Sequence, residues 1–269
     1  MKIFKVLLKT NIYIALAAVF LTVESQIQLG MRPQLHPYLL VIFFATLFDY
    51  NLHRFITGKT SKRFRTLVFF SGGGFICSTL FASKAVLIVL APMALITLFY
   101  SIPVFRNGRN TFRLRDIPFL KLFLIAIVWS CSTVLLPVIQ SDTLFRKSTI
   151  LAILAERFFF LFAIVIPFDI RDIETDKRAG LKTIPILLTE NKSYFLSYLS
   201  LFLSFCISVL CYKSQNSGFI VWAFILSILT TFLFLSIKKI RALPHYHDGI
   251  LDGTMLLQGF LVFVFYLLF

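Results

Sequence analysis

The sequence predicts an all-α integral membrane protein, a bundle of about nine transmembrane helices. Hydrophobic residues make up 58% of the 269 residues and charged residues only 14%, whereas about a quarter of a soluble domain is charged. The mean hydropathy is +0.88. The apolar residues are gathered in segments of about 20, the length of helix that crosses roughly 30 Å of hydrocarbon. Basic residues lie between these segments.

The apolar segments follow one another along a single predicted domain, residues 1–269. A helix is expected for each of them, because a helix satisfies its own backbone hydrogen bonds inside lipid. The predicted spans are residues 11–29, 36–54, 64–83, 85–103, 117–137, 148–168, 193–212, 218–237 and 250–269. No convincing small-residue cleavage site follows the first segment, so we interpret it as a span and not as a signal peptide. The third contains Gly72-Gly73-Gly74, which indicates close helix packing.

The basic residues predict the orientation of the bundle. Most of the 27 Lys and Arg residues precede the first span or lie in the loops after the second, fourth, sixth and eighth. Since basic loops stay in the cytoplasm, we expect a cytoplasmic N-terminus and an external C-terminus. The net charge of +15 is dispersed among these loops, which argues against a nucleic-acid-binding patch. We therefore expect a multi-pass integral membrane protein, which in a bacterium would lie in the inner membrane.

Three aspartates lie at the end of the sixth span. Asp169, Asp172 and Asp176 are spaced i, i+3 and i+7, so they share one face if the helix continues. Carboxylates this close repel one another unless a cation lies among them, and Mg²⁺ is usually held by one or two carboxylates together with substrate phosphates. The spacing alone equally allows a solvated helix end whose acids pair with neighbouring bases such as Arg171 and Lys177.

The residues around this cluster carry a family resemblance. The segment Asp172-x-x-x-Asp176-x-x-x-Gly180-x-x-Thr183-x-Pro185 resembles the second aspartate-rich motif of the UbiA superfamily of intramembrane prenyltransferases. This chain is also similar to those enzymes in having about nine transmembrane helices. A second similarity is a basic loop after the fourth span, which in those enzymes begins with Tyr-Ser or Tyr-Pro. The corresponding residues here are Tyr100-Ser101-Ile102-Pro103, and the next span has the family's lysine and tryptophan at Lys121 and Trp129. The similarity covers most of residues 40–190.

The resemblance implies a central cavity that opens to the cytoplasmic side, and a Mg²⁺-dependent transfer of an isoprenoid chain from an allylic diphosphate to an acceptor. The implied metal ligands are Asp49, Asp169, Asp172 and Asp176, of which Asp49, Asp172 and Asp176 would be catalytic. The implied substrate-binding residues are Asn51, His53, Arg54, Tyr100, Arg106, Lys121 and Lys182. The implied partners are a prenyl diphosphate, a lipophilic or aromatic acceptor and the lipid bilayer, with no nucleic acid.

The chain departs from the family in the first aspartate-rich motif. In place of Asn-x-x-x-Asp-x-x-x-Asp, it reads Ala45-x-x-x-Asp49-x-x-x-His53. Neutral imidazole is a poor ligand for Mg²⁺ compared with carboxylate, so we expect His53 to hydrogen-bond a phosphate or to orient Asp49. A purely structural interpretation is also open, in which Asp49, Asn51, His53 and Arg54 form a polar cap at the membrane interface.

A second departure lies in the loop after the fourth span. Where several aromatic prenyltransferases have a lysine four residues after the tyrosine, this chain has Val104, and the next cations are Arg106 and Arg109. An arginine fork matches phosphate oxygens well. The loop arginines, including Arg113 and Arg115, could equally be topological anchors attracted to anionic lipid.

Two further groups of polar residues fall outside these motifs. Glu156 and Arg157 lie in the outer half of the sixth span, and an ionisable pair inside a membrane is a functional-site hypothesis by default, although the pair could simply face protein. Asp248 and Asp252 enter the ninth span from the side of the predicted site and are weaker candidates for it.

The altered first motif leaves a second function open. The chain could be a degenerate member of the superfamily that binds or scaffolds isoprenoid lipids without transferring them. The sequence selects neither the acceptor nor the length of the isoprenoid chain.

Overall fold

The computed structural model describes residues 2–56, 62–102, 105–107, 110–212 and 218–269. Within these ranges the chain is almost entirely helical, with one short hairpin. The α-helices are α1 (Lys2–Thr10), α2 (Ile12–Gln28), α3 (Pro37–Ile56), α4 (Lys62–Leu80), α5 (Lys84–Ser101), α6 (Leu120–Gln140), α7 (Lys147–Arg171), α8 (Ile173–Arg178), α9 (Ile184–Leu188), α10 (Glu190–Tyr212), α11 (Gly218–Ser236), α12 (Lys238–Arg241) and α13 (Asp252–Leu268). A π-helical turn, Tyr246–Leu251, leads into α13.

In the described part of the chain, seven helical segments are long and apolar enough to cross a membrane: α3, α5, α6, α7, α10, α11 and the segment Tyr246–Leu268. Helices α1 and α2 meet at an angle of 79° and make an eighth span if the bent pair is counted as one. The third predicted span coincides with α4, whose apolar part, Phe64–Leu80, is shorter. The all-helical membrane fold is therefore confirmed, whereas the number of nine spans and the orientation stay predictions.

The bend between α1 and α2 lies at Asn11. This residue has a left-handed backbone, with φ of 62°, a conformation that Asn adopts more readily than most residues and that interrupts a right-handed helix. Its side-chain amide donates to Oδ1 of Asn51 at 3.0 Å, and the Asn51 amide donates to the carbonyl of Thr10 at 3.2 Å. The buried amide pair thus fixes the bend against α3.

Helix α7 lies at the centre of the bundle, where it packs against α6 and α10. Its side chains Phe160, Ala163 and Ile166 are fully buried. The two ends of the chain meet where α2 packs against α13. At that crossing a Cβ on Gly259 would lie 2.5 Å from the carbonyl oxygen of Phe20, so only glycine lets the two backbones approach this closely.

The outer surface of the bundle is apolar. Large side chains such as Phe69, Ile88, Phe195 and Trp222 are more than half exposed. In water such a surface would be unfavourable, but lipid is as apolar as the side chains themselves. The exposed apolar belt agrees with the membrane location.

The segments that follow α5 and α7 meet at one end of the bundle, which we call the polar end. The hairpin pairs β1 (Phe105–Asn107) with β2 (Asn110–Phe112) in antiparallel register, and a single turn of 3-10 helix, Leu114–Asp116, leads towards α6. Helix α7 does not continue straight into α8, as the sequence had allowed, because the backbone turns at Asp172, with φ of −90° and ψ of 2°. Gly180, with φ of +70°, then ends α8 in the left-handed conformation that glycine adopts at little cost.

Candidate active site

A cavity in the described part of the chain has a volume of about 390 Å³, within the range of about 300–1,000 Å³ that is usual for small-molecule sites. It lies at the polar end of the bundle. Its ionisable lining residues are Tyr13, Asp49, Tyr50, His53, Arg54, Tyr100, Arg115, Lys121, Asp169, Arg171, Asp172, Asp248 and Asp252. Further in, the walls become apolar, with Ile14, Val128, Trp129, Leu161, Ile164 and Met255 among the lining residues. A ligand with a charged head and a hydrocarbon tail matches this gradient.

The ammonium group of Lys121 lies among the three aspartates of the second motif. Its Nζ is 2.6 Å from Oδ1 of Asp169, 3.5 Å from Oδ2 of Asp176 and 3.9 Å from Oδ2 of Asp172. Asp169 and Asp176 are buried, whereas the side chain of Asp172 is 33% exposed. The predicted convergence of the three carboxylates is therefore present, with a lysine as the cation between them.

Local backbone structure produces this arrangement. Phe119 has a left-handed backbone, with φ of 64°, and its N–H donates to the carbonyl of Lys182 at 3.4 Å. That bond ties the start of α6 to the segment after α8, so Lys121, in the first turn of α6, meets the end of α7. Although the chain turns at Asp172, the Asp176 N–H still bonds the carbonyl of Asp172 at 2.9 Å, which keeps both carboxylates on the same side.

The wall formed by α3 and α5 carries a second polar group. Nη1 of Arg115 lies 3.4 Å from Nε2 of His53, and Nδ1 of His53 lies 3.4 Å from Oγ of Ser101. Since a guanidinium only donates hydrogen bonds, Nε2 accepts and Nδ1 carries the imidazole proton. The same guanidinium lies 5.9 Å from the centre of the Tyr100 ring. His53 thus faces a cation, which agrees with a role in phosphate binding better than with one in metal binding.

The remaining residues of the first motif differ in where they point. Asp49 lines the cavity and makes no ion pair within 4 Å with the described residues. Arg54 also lines the cavity, and its Nη1 donates to the carbonyl of Lys9 at 2.9 Å. Asn51 is fully buried and faces the bend between α1 and α2. The structure therefore brings Asp49, His53 and Arg54 to the cavity and uses Asn51 elsewhere.

Of the remaining predicted residues, Asp176 and Lys182 are not among those that line the main cavity. Lys182 is exposed and borders a small crevice of about 10 Å³ next to it, which shares Lys121 and Asp169 with the main cavity. The side chain of Arg106 lies outside the described part of the structure.

Several cavity residues were missed or ranked low by sequence reasoning. Arg115 had been grouped with topological anchors, although it contacts His53. Asp248 and Asp252 both line the cavity, and Nη1 of Arg171 joins Asp248 at 3.5 Å while its Nε bonds Asp172 at 2.8 Å. The four-residue spacing of Asp248 and Asp252 was the available signal, because it repeats the spacing of Asp172 and Asp176.

The carboxylate oxygens at the polar end of the cavity, which we call its mouth, fit a hard divalent cation. Within the described residues no group of three or more His, Cys, Asp or Glu side chains is arranged as a preformed metal cage. However, Mg²⁺ usually takes one or two carboxylates and completes its shell with water and substrate phosphates. Oδ1 of Asp169 is buried and has no aligned hydrogen-bond partner in the described part of the chain, despite its close ion pair. Asp49, Asp169, Asp172 and Asp176 therefore offer suitable oxygens.

Known structures share this fold. The apo structure of a UbiA homologue from Aeropyrum pernix K1 superposes with a TM-score of 0.68 at 13% identity, covering 95% of this chain and 97% of that chain. A UbiA homologue from Archaeoglobus fulgidus superposes in its Cd²⁺-bound structure with a TM-score of 0.64 at 17% identity, covering 93% and 96%. Its structure bound to GPP and Mg²⁺ gives 0.62 at 15% identity, covering 97% and 99%.

Comparison with curated protein sequences gives no match. The family model described as the UbiA prenyltransferase family matches residues 53–246, which is well over half of the chain. This range contains Lys121 with Asp169, Asp172 and Asp176, which we call the Lys121 site. The match begins at His53, so it includes the second aspartate-rich motif and only the last position of the first. The resemblance stated from the residues is confirmed, and the chain belongs to the UbiA prenyltransferase family.

Proposed function

We propose that the chain is a Mg²⁺-dependent prenyltransferase that moves an isoprenoid from an allylic diphosphate to a lipophilic or aromatic acceptor inside the membrane. Family membership supports prenyl transfer, and the Archaeoglobus homologue has been solved with GPP and Mg²⁺ and with DMAPP and Mg²⁺. The observation that carries the proposal is the group of three carboxylates around Lys121, at the boundary between the polar mouth and the apolar interior of one cavity.

The charge balance of the cavity supports a metal requirement. Its lining has five aspartates against four Lys and Arg side chains, a net charge of −1 when all are taken as ionised. A diphosphate would therefore enter a site that is already slightly negative. Divalent cations bound with the diphosphate would offset this repulsion, as they do in other phosphate sites.

The protein's own residues divide the work between them. Asp169, Asp172, Asp176 and Asp49 would hold Mg²⁺, which supplies charge neutralisation at the diphosphate oxygens. Lys121 and Arg115 donate hydrogen bonds to the diphosphate, and their positive charge offsets the negative charge that develops as the carbon–oxygen bond breaks. His53, Arg54 and Tyr100 line the same end of the cavity and orient the headgroup.

The apolar half of the cavity protects the cation that is left on the isoprenoid. Trp129, Leu161 and Met255 are buried there and exclude water, which would otherwise quench the cation. The acceptor's π electrons form the new carbon–carbon bond, and the acceptor then loses a proton. Asp252, which lines the cavity and has no ion pair within 4 Å among the described residues, is placed to accept that proton.

Three parts of the proposal rest on the sequence. The basic loops favour an orientation in which the mouth of the cavity opens to the cytoplasmic side. Arg106 would add a further cation to the diphosphate site, and the exposed Lys182 would add one from the neighbouring crevice. The acceptor itself is left open.

The test is a diphosphate-release assay on the purified chain in detergent. Prenyl diphosphates of several lengths and a panel of acceptors would be supplied with and without Mg²⁺, for the native protein and for Asp172→Asn. We expect release that requires both Mg²⁺ and an acceptor and that is lost in Asp172→Asn. Failure of any prenyl diphosphate to bind, with or without Mg²⁺, would rule out the diphosphate site.

A second candidate function is supported by the altered first motif. His53 faces Arg115 where the family has a carboxylate, and Lys121 already neutralises part of the second motif. A protein that binds isoprenoid diphosphates without transferring them would show Mg²⁺-dependent binding but no release with any acceptor. The same assay, with binding measured beside release, separates the two functions.

A further inference from the structure

A buried ionic cluster lies beyond the apolar end of the cavity. We call it the floor cluster, and its members are Glu24, Gln28, Thr133, Glu156, Arg157 and Gln258. All six are at most 3% exposed. They come from α2, α6, α7 and α13, four of the helices whose residues also line the cavity.

Hydrogen bonds join the members of the floor cluster into one network centred on Arg157. Its Nη2 lies 2.8 Å from Oε1 of Glu24 and donates to Oε1 of Gln28 at 3.1 Å. Gln28 in turn donates to Glu156 at 3.2 Å, and Gln258 donates to Glu24 at 3.1 Å. The guanidinium is thus held on several sides at once.

The floor cluster lies one helical turn beyond the innermost cavity residues. On α6, Thr133 follows the lining residue Trp129 by four positions, and on α7 Arg157 precedes the lining residue Leu161 by four. Residues four apart lie on the same face of a helix, one above the other. None of the six cluster residues is among the residues that line the cavity.

The network is bonded directly to the cavity wall. Oγ1 of Thr133 donates to the carbonyl of Trp129 at 2.7 Å and accepts from Nη1 of Arg157 at 3.2 Å. The same Nη1 donates to the carbonyl of Leu21 at 2.9 Å. A hydrocarbon chain that pushed through this layer would leave buried charges and carbonyls without partners, which is strongly unfavourable.

From this layering we infer that the floor cluster closes the cavity and restricts the isoprenoid to two, and at most three, isoprene units, an inference that rests on the proposed function. Eight residues separate Lys121 from Trp129 on α6, and eight separate Asp169 from Leu161 on α7. At about 1.5 Å per residue, the depth from the carboxylates to these innermost lining residues is about 12 Å, and Thr133 and Arg157 lie about 6 Å further in. An extended isoprene unit, four carbon–carbon bonds of roughly 1.5 Å in a zigzag, takes up about 5 Å.

The length of the isoprenoid chain is therefore limited by Trp129 and by the floor cluster that lies behind it. Trp129 is 9% exposed and forms the last part of the wall on α6. Replacing it with a smaller side chain extends the cavity towards Thr133 but not past it, because the floor cluster stays in place.

The experiment measures the affinity of the purified full chain, with Mg²⁺, for dimethylallyl, geranyl, farnesyl and geranylgeranyl diphosphate, which contain one to four isoprene units. We expect the tightest binding at two or three units and at least about tenfold weaker binding at four. Trp129→Phe and Trp129→Ala shift the preference towards the longer chains by up to one unit. Trp222→Ala is the matched control, since Trp222 is 65% exposed on the outer surface of α11, and it leaves the preference unchanged.

Each outcome decides one question. Equal or rising affinity from two to four units in the native protein would overturn the inference, because the tail would then leave the cavity sideways, and the proposed function would stand. Binding of no diphosphate at any length would overturn the proposed function and the inference with it. The native series decides the matter even if the Trp129 variants do not fold, which thermal unfolding of the variants would reveal.

Discussion

The Lys121 site and the floor cluster are two ionic groups on the same helices with opposite properties. In each, one cation faces more than one carboxylate: Lys121 faces three, and Arg157 contacts Glu24 while Glu156 lies within the same network. At the mouth, the side chains of Lys121 and Asp172 are 12% and 33% exposed. In the floor cluster, the side chains of Arg157 and Glu24 are both 0% exposed.

The difference lies in what surrounds the charges. Amides and hydroxyls complete the floor cluster: Gln28 and Thr133 bind Arg157, and Ser204 donates to Glu156 at 3.1 Å. The Lys121 site has few such neutral partners and borders a cavity, so a ligand can exchange with Lys121 for the carboxylates. Residues of the same types thus form a closed hydrogen-bonded network in one place, and in the other a group of charges that we expect to exchange partners with a ligand.

Removing the central cation of the floor cluster tests this contrast most severely. Arg157→Leu would leave Glu24 and Glu156 buried without their cation, and breaking a buried pair in this way costs roughly 3–5 kcal/mol. We expect a large fall in the thermal unfolding temperature in detergent, or loss of folded protein. Arg146→Leu, at an exposed position at the start of the same helix, is the control and should unfold at the native temperature. A stable Arg157→Leu protein would show that the network does not hold the bundle together.

At the mouth the order of effects should be reversed, with activity lost and stability kept. Asp169→Asn removes the carboxylate closest to Lys121. We expect Mg²⁺-dependent diphosphate release to fall by about 100-fold or more, because metal-ion stabilisation of developing charge is worth several kcal/mol. Asp142→Asn, in an exposed loop, should release diphosphate at the native rate. If Asp169→Asn unfolded early and retained its activity, Asp169 would be a structural residue.

Lys121→Met sharpens the comparison, because it opens the three carboxylates without touching them. In the absence of substrate, Mg²⁺ affinity measured by calorimetry should rise about tenfold, since like charges left without a cation favour a divalent ion. Diphosphate binding should weaken in the same variant. Lys147→Met, exposed at the start of α7, should change neither affinity. An unchanged Mg²⁺ affinity in Lys121→Met would mean that the lysine does not compete with metal.

The smallest effect is expected at Glu156, and a comparison with Glu24 in the same cluster reveals it. Glu24→Gln removes the carboxylate that lies 2.8 Å from Arg157 and should lower the free energy of unfolding by about 1–3 kcal/mol. Glu156→Gln keeps the shape and removes the carboxylate bonded mainly by neutral groups, so we expect a change within about 1 kcal/mol. Thermal unfolding of the two variants side by side gives the comparison, and equal losses would contradict the division of roles.

Much of the architecture could be predicted from the sequence. The apolar segments predicted the helices, because a helix satisfies its own backbone hydrogen bonds inside lipid. Each predicted span coincides with a helix. The aspartate spacing predicted that Asp169, Asp172 and Asp176 would converge, even though the chain turns at Asp172. The spacing could not show that Lys121 lies between them, because a contact between the start of α6 and the end of α7 is not encoded in local periodicity.

Other assignments depended entirely on how the helices pack. Asn51 and His53 are two residues apart on α3, yet Asn51 faces the bend at Asn11 and His53 faces the cavity with Arg115. Residues two positions apart on a helix point in different directions. Only the packing of α3 against its neighbours decides which of these directions leads to the site.

The sequence by itself determined that the chain lies in a membrane, which residue types are available for chemistry, and the end of each helix on which they lie, because hydrophobic length and helical spacing are local properties. The tertiary structure decided which charges meet. Glu24, Glu156 and Gln258 are widely separated in the chain, and only the packing of α2, α7 and α13 brings them to one point. Contacts between distant residues depend on the whole set of packed helices, and therefore the floor of the cavity could be recognised only in three dimensions.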